Sequence, residues 1–178
     1  FTDGDAGSIS IKADTLDVTD NARVYAGALN AGNGGAIEID AGQIRLATQG
    51  AIVADVRDTG DGGTVYIKAG EMVIDHGSIY GSTSGAGVGS RVDVDAGELR
   101  MVNGGRIESA AFGPGKAGEL DVDADTIDIN GEGEWFDPKD VDAEPSGRMA
   151  RSGLVTSTVA QGDAGTIHLS TPDLNLDG

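Results

Sequence analysis

A repeat of 27 or 28 residues runs through most of this chain and restricts its fold more than any other feature. Each copy has a Gly-rich turn followed by three short runs in which apolar residues alternate with period two, the pattern of β-strands. The clearest copy is GNGGAIEIDAGQIRLATQGAIVA, residues 32–54. The first apolar residues of successive copies lie 28, 28, 27, 28 and 47 positions apart; they are Ile9, Ile37, Val65, Val92, Leu120 and Ile167.

One copy is too short to bury its own apolar side chains, so the copies must stack on one another. Three short strands that recur in the same order stack as three parallel sheets around one core. We therefore predict an all-β fold, a right-handed parallel β-helix (β-solenoid) of about six coils, each with about 28 residues and three strands. Residues 1–178 form one such segment, and residues 131–150 are a loop insertion within the fifth coil.

Equivalent positions of the copies test this prediction, because stacking places them directly above one another. Two further inward columns are apolar throughout; they are Ile11, Ile39, Ile67, Val94, Val122, Leu169 and Leu16, Ile44, Met72, Leu99, Ile127, Leu174. A column of small residues predicts a tight corner; it is Ala13, Ala41, Ala69, Ala96, Ala124, Thr171. A column of glycines indicates a backbone position with positive φ or close contact with the next coil; it is Gly4, Gly32, Gly60, Gly87, Gly115, Gly162.

Composition restricts the partners. The net charge of −18 argues against nucleic acid and anionic membrane surfaces. The chain has no cysteine, and therefore no disulfide framework. It shows no signal peptide and no apolar run long enough to span a bilayer, so we expect no membrane insertion.

The two ends of the sequence lead to a prediction about partners. The chain starts within a turn, stops after the second run of the sixth copy, and has no polar capping segment at either end. Open ends of a solenoid normally need such a cap. We therefore expect a section of a longer solenoid, with flanking coils of the same polypeptide or end-to-end copies as its partners.

Several repeat units resemble a known group. The units GDAGSISIKADTLDV, GNGGAIEIDAGQIRL, GKAGELDVDADTIDI and STVAQGDAGTIHLSTPDLNLDG are similar to repeats of filamentous-haemagglutinin-type exoproteins of the two-partner secretion pathway. The resemblance covers nearly the whole chain except the insertion, and it identifies the repeat type while leaving the ligand open. It implies a long right-handed β-helix, exported through an outer-membrane barrel and used for adhesion to host or neighbouring cells. The secretion domain that begins such proteins is not in this sequence, so the extracellular or cell-surface location is implied by the resemblance alone.

Four Gly-rich turns contain Asp or Asn beside glycine and could in principle bind calcium. These acidic Gly turns are DGDAG (3–7), GNGG (32–35), GDGG (60–63) and QGDAG (161–165). The calcium-binding nonapeptide solenoid repeats its Gly/Asp pattern much more often than this chain does. Here the pattern occurs once per repeat, and Val88 and Lys116 interrupt it. Asp and Asn are also ordinary turn formers, which is the interpretation we favour. We predict no cofactor and no metal site, with weak surface binding of divalent cations left open.

Asp93 and Asp121 are the best catalytic candidates. They are neighbours in an outward column, so we expect their strands about 5 Å apart, a separation close to that of the carboxyl pair of a retaining glycosidase. The two histidines, His76 and His168, lie in different parts of the repeat, and no sequence feature builds a cleft. We favour a solvated acidic face and predict that the chain is not an enzyme.

The insertion 131–150 is the one irregular feature. It contains Trp135 and Phe136, which are candidate binding residues because long loops on rigid scaffolds commonly carry recognition. The alternative, which we favour, is that the insertion covers an unusually apolar outward column of the third strand; this column is Tyr25, Val53, Tyr80, Glu108, Val155.

These patterns predict a structural, non-enzymatic segment of an extracellular adhesin or fibre. Two alternatives stay open: a carbohydrate-active β-helix enzyme that uses Asp93 and Asp121, and the repeating body of a self-assembling extracellular filament.

Overall fold

A computed structural model describes residues 4–29, 31–131 and 151–178. These residues form an all-β, parallel β-solenoid of about four turns. Its twelve strands are β1 (Ser8–Val18), β2 (Arg23–Tyr25), β3 (Ala36–Ala47), β4 (Ala51–Val53), β5 (Thr64–Asp75), β6 (Ser78–Thr83), β7 (Arg91–Val102), β8 (Arg106–Ala111), β9 (Glu119–Asn130), β10 (Gly153–Thr158), β11 (Thr166–Ser170) and β12 (Asp173–Asp177).

The strands form two sheets in which every pair is parallel. The first sheet has the order β1-β3-β5-β7-β9-β11, and β12 also pairs with β9. The second sheet has the order β10-β8-β6-β4-β2. Because strands of the two sheets alternate along the chain as far as β10, each of these coils adds one strand to each sheet.

The prediction of three separate strands per coil is wrong for the first five coils, each of which has two strands among the described residues. The first two predicted strands form one long strand, which bends at the column of small residues. Between β1 and β3, Ala13 pairs with Ala41 and Thr15 with Gln43, while the position between them is skipped. An alanine leaves room for the backbone to turn here without ending the strand. Only β11 and β12 are separate, and both pair with β9.

The predicted number of six coils is not confirmed by the four turns of the structure. The chain is described almost without interruption through β8, which accounts for the first four coils. In the fifth coil, residues 132–150 lie outside the described part of the chain. The sixth contributes β11 and β12 to the first sheet only.

The predicted apolar columns are confirmed by the strand register. Ile9 pairs with Ile37, and this column continues in register to Ile167. Ile37 and Leu120 are at most 1% exposed, whereas Ile167 in the last coil is 39% exposed. The stacked columns are therefore the hydrophobic core, and its side chains lose their cover at the last coil.

The glycine column reflects close contact between coils rather than positive φ. A Cβ atom on Gly32 would overlap the carbonyl oxygen of Gly4 in the preceding coil. The later members meet the preceding glycine in the same way; they are Gly60, Gly87, Gly115 and Gly162. None of these five has a φ in the left-handed region. Any side chain here would push neighbouring coils apart.

A second glycine column contains one serine, and its side chain fits because a neighbouring residue, Gly81, has none. Gly63 and Gly118 would each clash with a carbonyl oxygen of the preceding coil if they carried a Cβ. Ser90 stands between them in this column, and its hydroxyl donates to the carbonyl oxygen of Ala54. Its Cβ fills the space that a side chain on Gly81 would need. The Ser90 side chain therefore fits inside the core only because residue 81 is a glycine.

Candidate functional site

The acidic Gly turns form a hydrogen-bond ladder between coils. The Asp5 carboxylate accepts a hydrogen bond from the backbone nitrogen of Asn33 at 2.7 Å, and the Asn33 side-chain oxygen accepts one from the backbone nitrogen of Asp61 at 3.0 Å. Asp61 in turn accepts from the nitrogen of Val88 at 2.8 Å. Asp and Asn therefore connect successive turns. Within the described residues, no group of three or more His, Cys, Asp or Glu side chains is arranged to hold a metal ion.

Charged side chains cluster on the outer face of the first sheet around Arg91. Its guanidinium lies 2.9 Å from Glu119, 3.4 Å from Asp93 and 3.5 Å from Asp121. His168 in the last coil lies 3.5 Å from Glu119. This Arg91 cluster thus joins three successive coils. Its members are between a third and two thirds exposed, so each ion pair made by Arg91 contributes only about 0–1 kcal/mol.

The structure brings the two predicted catalytic candidates together. Asp93 and Asp121 are directly paired across β7 and β9, as the repeat predicts. Arg91 lies against both carboxylates, and their side chains are 36% and 40% exposed. A glycosidase needs one carboxyl held protonated as a general acid, commonly by burial in apolar surroundings. This pair is instead open to solvent and paired with a cation.

The outer face of the second sheet is different, because side chains from coils two repeats apart meet there. The Arg23 guanidinium donates to the Tyr80 hydroxyl at 3.3 Å, across the intervening strand β4. Ala51 and Val53 belong to β4, the strand that this contact crosses, and they are 2% and 0% exposed. Of the apolar column predicted from the sequence, Val53 is thus buried, whereas Tyr80, Glu108 and Val155 are half-buried.

Tyr25 lies at the edge of this face and is 38% exposed. Partial burial and the neighbouring Asp55 raise the pKa of Tyr25 to about 12. A Cβ on Gly27 would overlap both the Tyr25 hydroxyl and the Asp55 carboxylate. Gly27 thus makes the space in which these two groups meet.

The shortened corner of the third coil forms a shallow groove. Thr48, Asp75, His76 and Asn103 line it, and the Asn103 side-chain nitrogen donates to Asp75 at 2.7 Å. The corner has one residue fewer than those of the coils on either side, and His76 turns it with a φ of 53°. The lining is polar; Thr48, His76 and Asn103 are exposed and Asp75 is half-buried.

Trp135 and Phe136, the predicted binding residues, lie outside the described part of the chain. Sequence reasoning did not single out Arg91 or the pairing of Tyr25 with Asp55. Arg91 could have been found, since it precedes Asp93 by two positions on the same strand and Glu119 follows it by one repeat. The contact of Tyr25 with Asp55 depends on a turn geometry that the repeat does not reveal.

Comparisons with known protein families, with curated proteins and with solved structures find no match to this chain. The described residues contain no helix of the length and apolar character needed to cross a membrane.

Proposed function

We propose that this chain is a structural, non-enzymatic segment of an extracellular adhesin or fibre. One observation carries the proposal: equivalent residues of successive coils pair in register along the whole first sheet, from β1 to β11. A protein built in this way extends along one axis, because each repeat contacts only its neighbours. On this proposal the winding is right-handed and the chain contributes six coils to a longer rod.

The resemblance to filamentous-haemagglutinin-type repeats supports the extracellular part of this proposal. Such a segment would serve as a spacer that holds a binding region away from the cell surface. Its ligands, if it has any, belong to host or neighbouring cells. Export through an outer-membrane partner follows from the same resemblance.

Electron microscopy of the intact parent protein tests the proposal. We expect an unbranched rod of constant diameter, which becomes shorter by about 4.8 Å for every repeat deleted. A compact particle whose dimensions do not follow the number of repeats would contradict it.

The apolar residues exposed at the end of the solenoid favour a further β-solenoid coil as the partner. Every residue of β11 and β12 is exposed, and four large apolar side chains lie there: Ile167, Leu169, Leu174 and Leu176. We propose that a further coil covers them, either from the same polypeptide or from a second copy in a filament. In sedimentation experiments the isolated chain should self-associate, and Leu174→Lys with Leu176→Lys should reduce that association. A wild-type chain that stays monodisperse at high concentration would contradict the proposal that a further coil covers these side chains.

A carbohydrate-active enzyme is the alternative, and the register of Asp93 with Asp121 is the observation that favours it. The contact of Arg91 with both carboxylates argues in the other direction. Reducing-sugar release from a panel of polysaccharides distinguishes the two. Activity in the wild-type chain that disappears in Asp93→Asn and in Asp121→Asn would replace the structural proposal with the enzymatic one.

For the insertion, our preferred proposal is a cover for the outer face of the second sheet, and the alternative is recognition through Trp135 and Phe136. Trp135→Ala with Phe136→Ala in the parent protein separates them. Increased aggregation with unchanged adhesion would indicate a cover, and lost adhesion with unchanged solubility would indicate recognition. Phe112→Ala is the matched control, because Phe112 is an exposed aromatic residue on another coil.

A further inference from the structure

The chain contains three Asn-Gly pairs, at 33–34, 103–104 and 130–131. In such a pair the backbone nitrogen of the glycine can attack the side-chain amide carbon of the asparagine. Glycine favours this reaction because it has no Cβ to hinder the approach and its backbone is the most adaptable. The fold decides which of the three pairs has the freedom to react.

Two of the pairs are held in backbone ladders. The Gly34 nitrogen donates to the Asp61 carbonyl oxygen at 2.8 Å, and the Asn33 side chain accepts a hydrogen bond from the Asp61 nitrogen. Asn130 belongs to β9 and pairs with Asp177, whose carbonyl oxygen accepts from the Gly131 nitrogen. In both pairs the attacking nitrogen is held by a main-chain acceptor of the next coil.

The third pair lies outside both sheets. Asn103, which is exposed, and Gly104, which is half-buried, form a corner with φ values of 51° and 81°. The Gly104 nitrogen donates to a side-chain hydroxyl, that of Ser152, at 3.1 Å. The Asn103 side chain donates to the half-buried carboxylate of Asp75. Bonds of this kind near the surface open at little cost, unlike those of a stacked ladder.

We propose that Asn103 is a site of spontaneous deamidation. The Gly104 nitrogen forms a bond to Cγ of Asn103 and loses its proton, and the bond from Cγ to Nδ2 breaks, so that ammonia leaves. Water then opens the five-membered succinimide at either carbonyl. The products are aspartate, or isoaspartate, in which the main chain passes through the side chain.

Deamidation changes the groove at the shortened corner. Asp75 loses the donor at 2.7 Å and faces a second carboxylate in its place. Isoaspartate also adds one carbon to the main chain between β7 and β8. The reaction therefore loosens the corner that joins the two sheets in the fourth coil, and it needs no enzyme.

Trypsin makes the test direct, because it separates the three pairs. Cleavage after Arg100 and Arg106 releases residues 101–106, which contain Asn103 and no other asparagine. Asn33 and Asn130 are released in residues 24–45 and 117–139. The folded chain is incubated in mildly alkaline buffer before digestion. Mass spectrometry then measures, for each peptide, the fraction in which the asparagine amide has become a carboxyl group, a net replacement of NH by O. A denatured sample is incubated in parallel.

In the folded chain, Asn103 should deamidate severalfold faster than Asn33 and Asn130, and in the denatured chain the three rates should converge. Ser152→Ala removes the acceptor of the Gly104 nitrogen and should accelerate the reaction at Asn103 alone. Equal rates at the three sites in the folded chain, or Asn33 or Asn130 reacting first, would overturn the proposal. An unchanged rate at Asn103 in Ser152→Ala would overturn the role of the hydroxyl.

Discussion

The two sheets share one core but differ in length and charge. Uninterrupted strands of the first sheet have 11 or 12 residues, and those of the second have 3 to 6. The strands of the first sheet carry sixteen Asp and Glu against five Lys and Arg, whereas those of the second carry one Glu and two Arg. Both sheets nevertheless supply fully buried residues, such as Ile67 and Ile79.

This difference assigns separate roles to the sheets. The long strands of the first sheet make about ten paired positions at each interface between coils, and a shift by one residue would turn every core side chain outward. The second sheet is too short to determine the register by itself. Its outer face instead holds the contacts between side chains two coils apart, such as Arg23 with Tyr80.

The largest effect should come from a charge in the core of the first sheet. Ile67 is 0% exposed and lies between Ile39 and Val94. Ile67→Asp would bury an unpaired carboxylate, so we expect a loss of at least about 4 kcal/mol and an unfolded chain. Lys68→Ala is the matched control on the outer face of the same strand, with an expected cost below about 1 kcal/mol. Circular dichroism during urea unfolding measures both, and a folded Ile67→Asp variant would refute the register.

The second sheet should be most sensitive at Gly81. Gly81→Ala would place a methyl group where the Ser90 side chain already lies, at a cost of about 1–3 kcal/mol. Ser90→Gly should restore much of that stability, because the two positions share one space. A double-mutant cycle with urea unfolding measures this coupling. Strict additivity of the two substitutions would show that they do not compete for the same space.

A smaller effect is expected from the Arg91 cluster. Arg91→Ala removes contacts with three carboxylates that are all partly exposed. Removing the cation should lower the free energy of unfolding by about 1 kcal/mol in dilute buffer and by less at high salt, because salt screens exposed charges. Arg23→Ala on the second sheet is the comparison. A loss for Arg91→Ala that is independent of salt would mean that packing, rather than charge, accounts for it.

At neutral pH the smallest effect is expected at Tyr25, whose contribution changes only in alkaline solution. Its pKa is raised from 10.0 to about 12, first by burial and then by Asp55. Because the folded chain retains this proton longer, the stabilisation is complete below pH 10 and is lost as the pH rises toward 12. Tyr25→Phe should remove this part of the alkaline loss. Spectrophotometric titration should show one fewer tyrosine that ionises late, and an unchanged late fraction would assign it to another tyrosine.

The repeat predicts most of the fold because each coil contacts only the coils before and after it, so the spacing along the chain determines which residues pair. Ile9 above Ile37, and Asp93 beside Asp121, follow directly from the 28-residue spacing. The number of strands per coil could not be predicted in the same way. The long strands run unbroken through an alanine at the corner, whereas the break between β11 and β12 falls at Thr171 and Pro172, where proline has no N–H to donate. The period-two pattern on both sides of the corner is the same in the two cases, so the pattern alone does not give the number of strands.

The candidate sites were less predictable, for reasons that individual residues make clear. Arg91 reaches Asp121 of the next coil through a long, flexible side chain, and such reach is not a property of the spacing alone. Ser90 interrupts a glycine column, and only the structure shows that Gly81 makes room for it. Trp135 and Phe136 lie outside the periodic pattern, so no column restricts their position.

Distances between spin labels in one outward column show whether the coils stack one upon another along a single axis. Lys12 serves as the fixed label, with the second label at Asp95, Asp123 or Ser170 in successively later coils. For stacked coils we expect backbone separations of about 14, 19 and 24 Å, an increase of about 4.8 Å per coil. A label at Ser170 that lies no farther from Lys12 than the label at Asp95 would contradict this stacking.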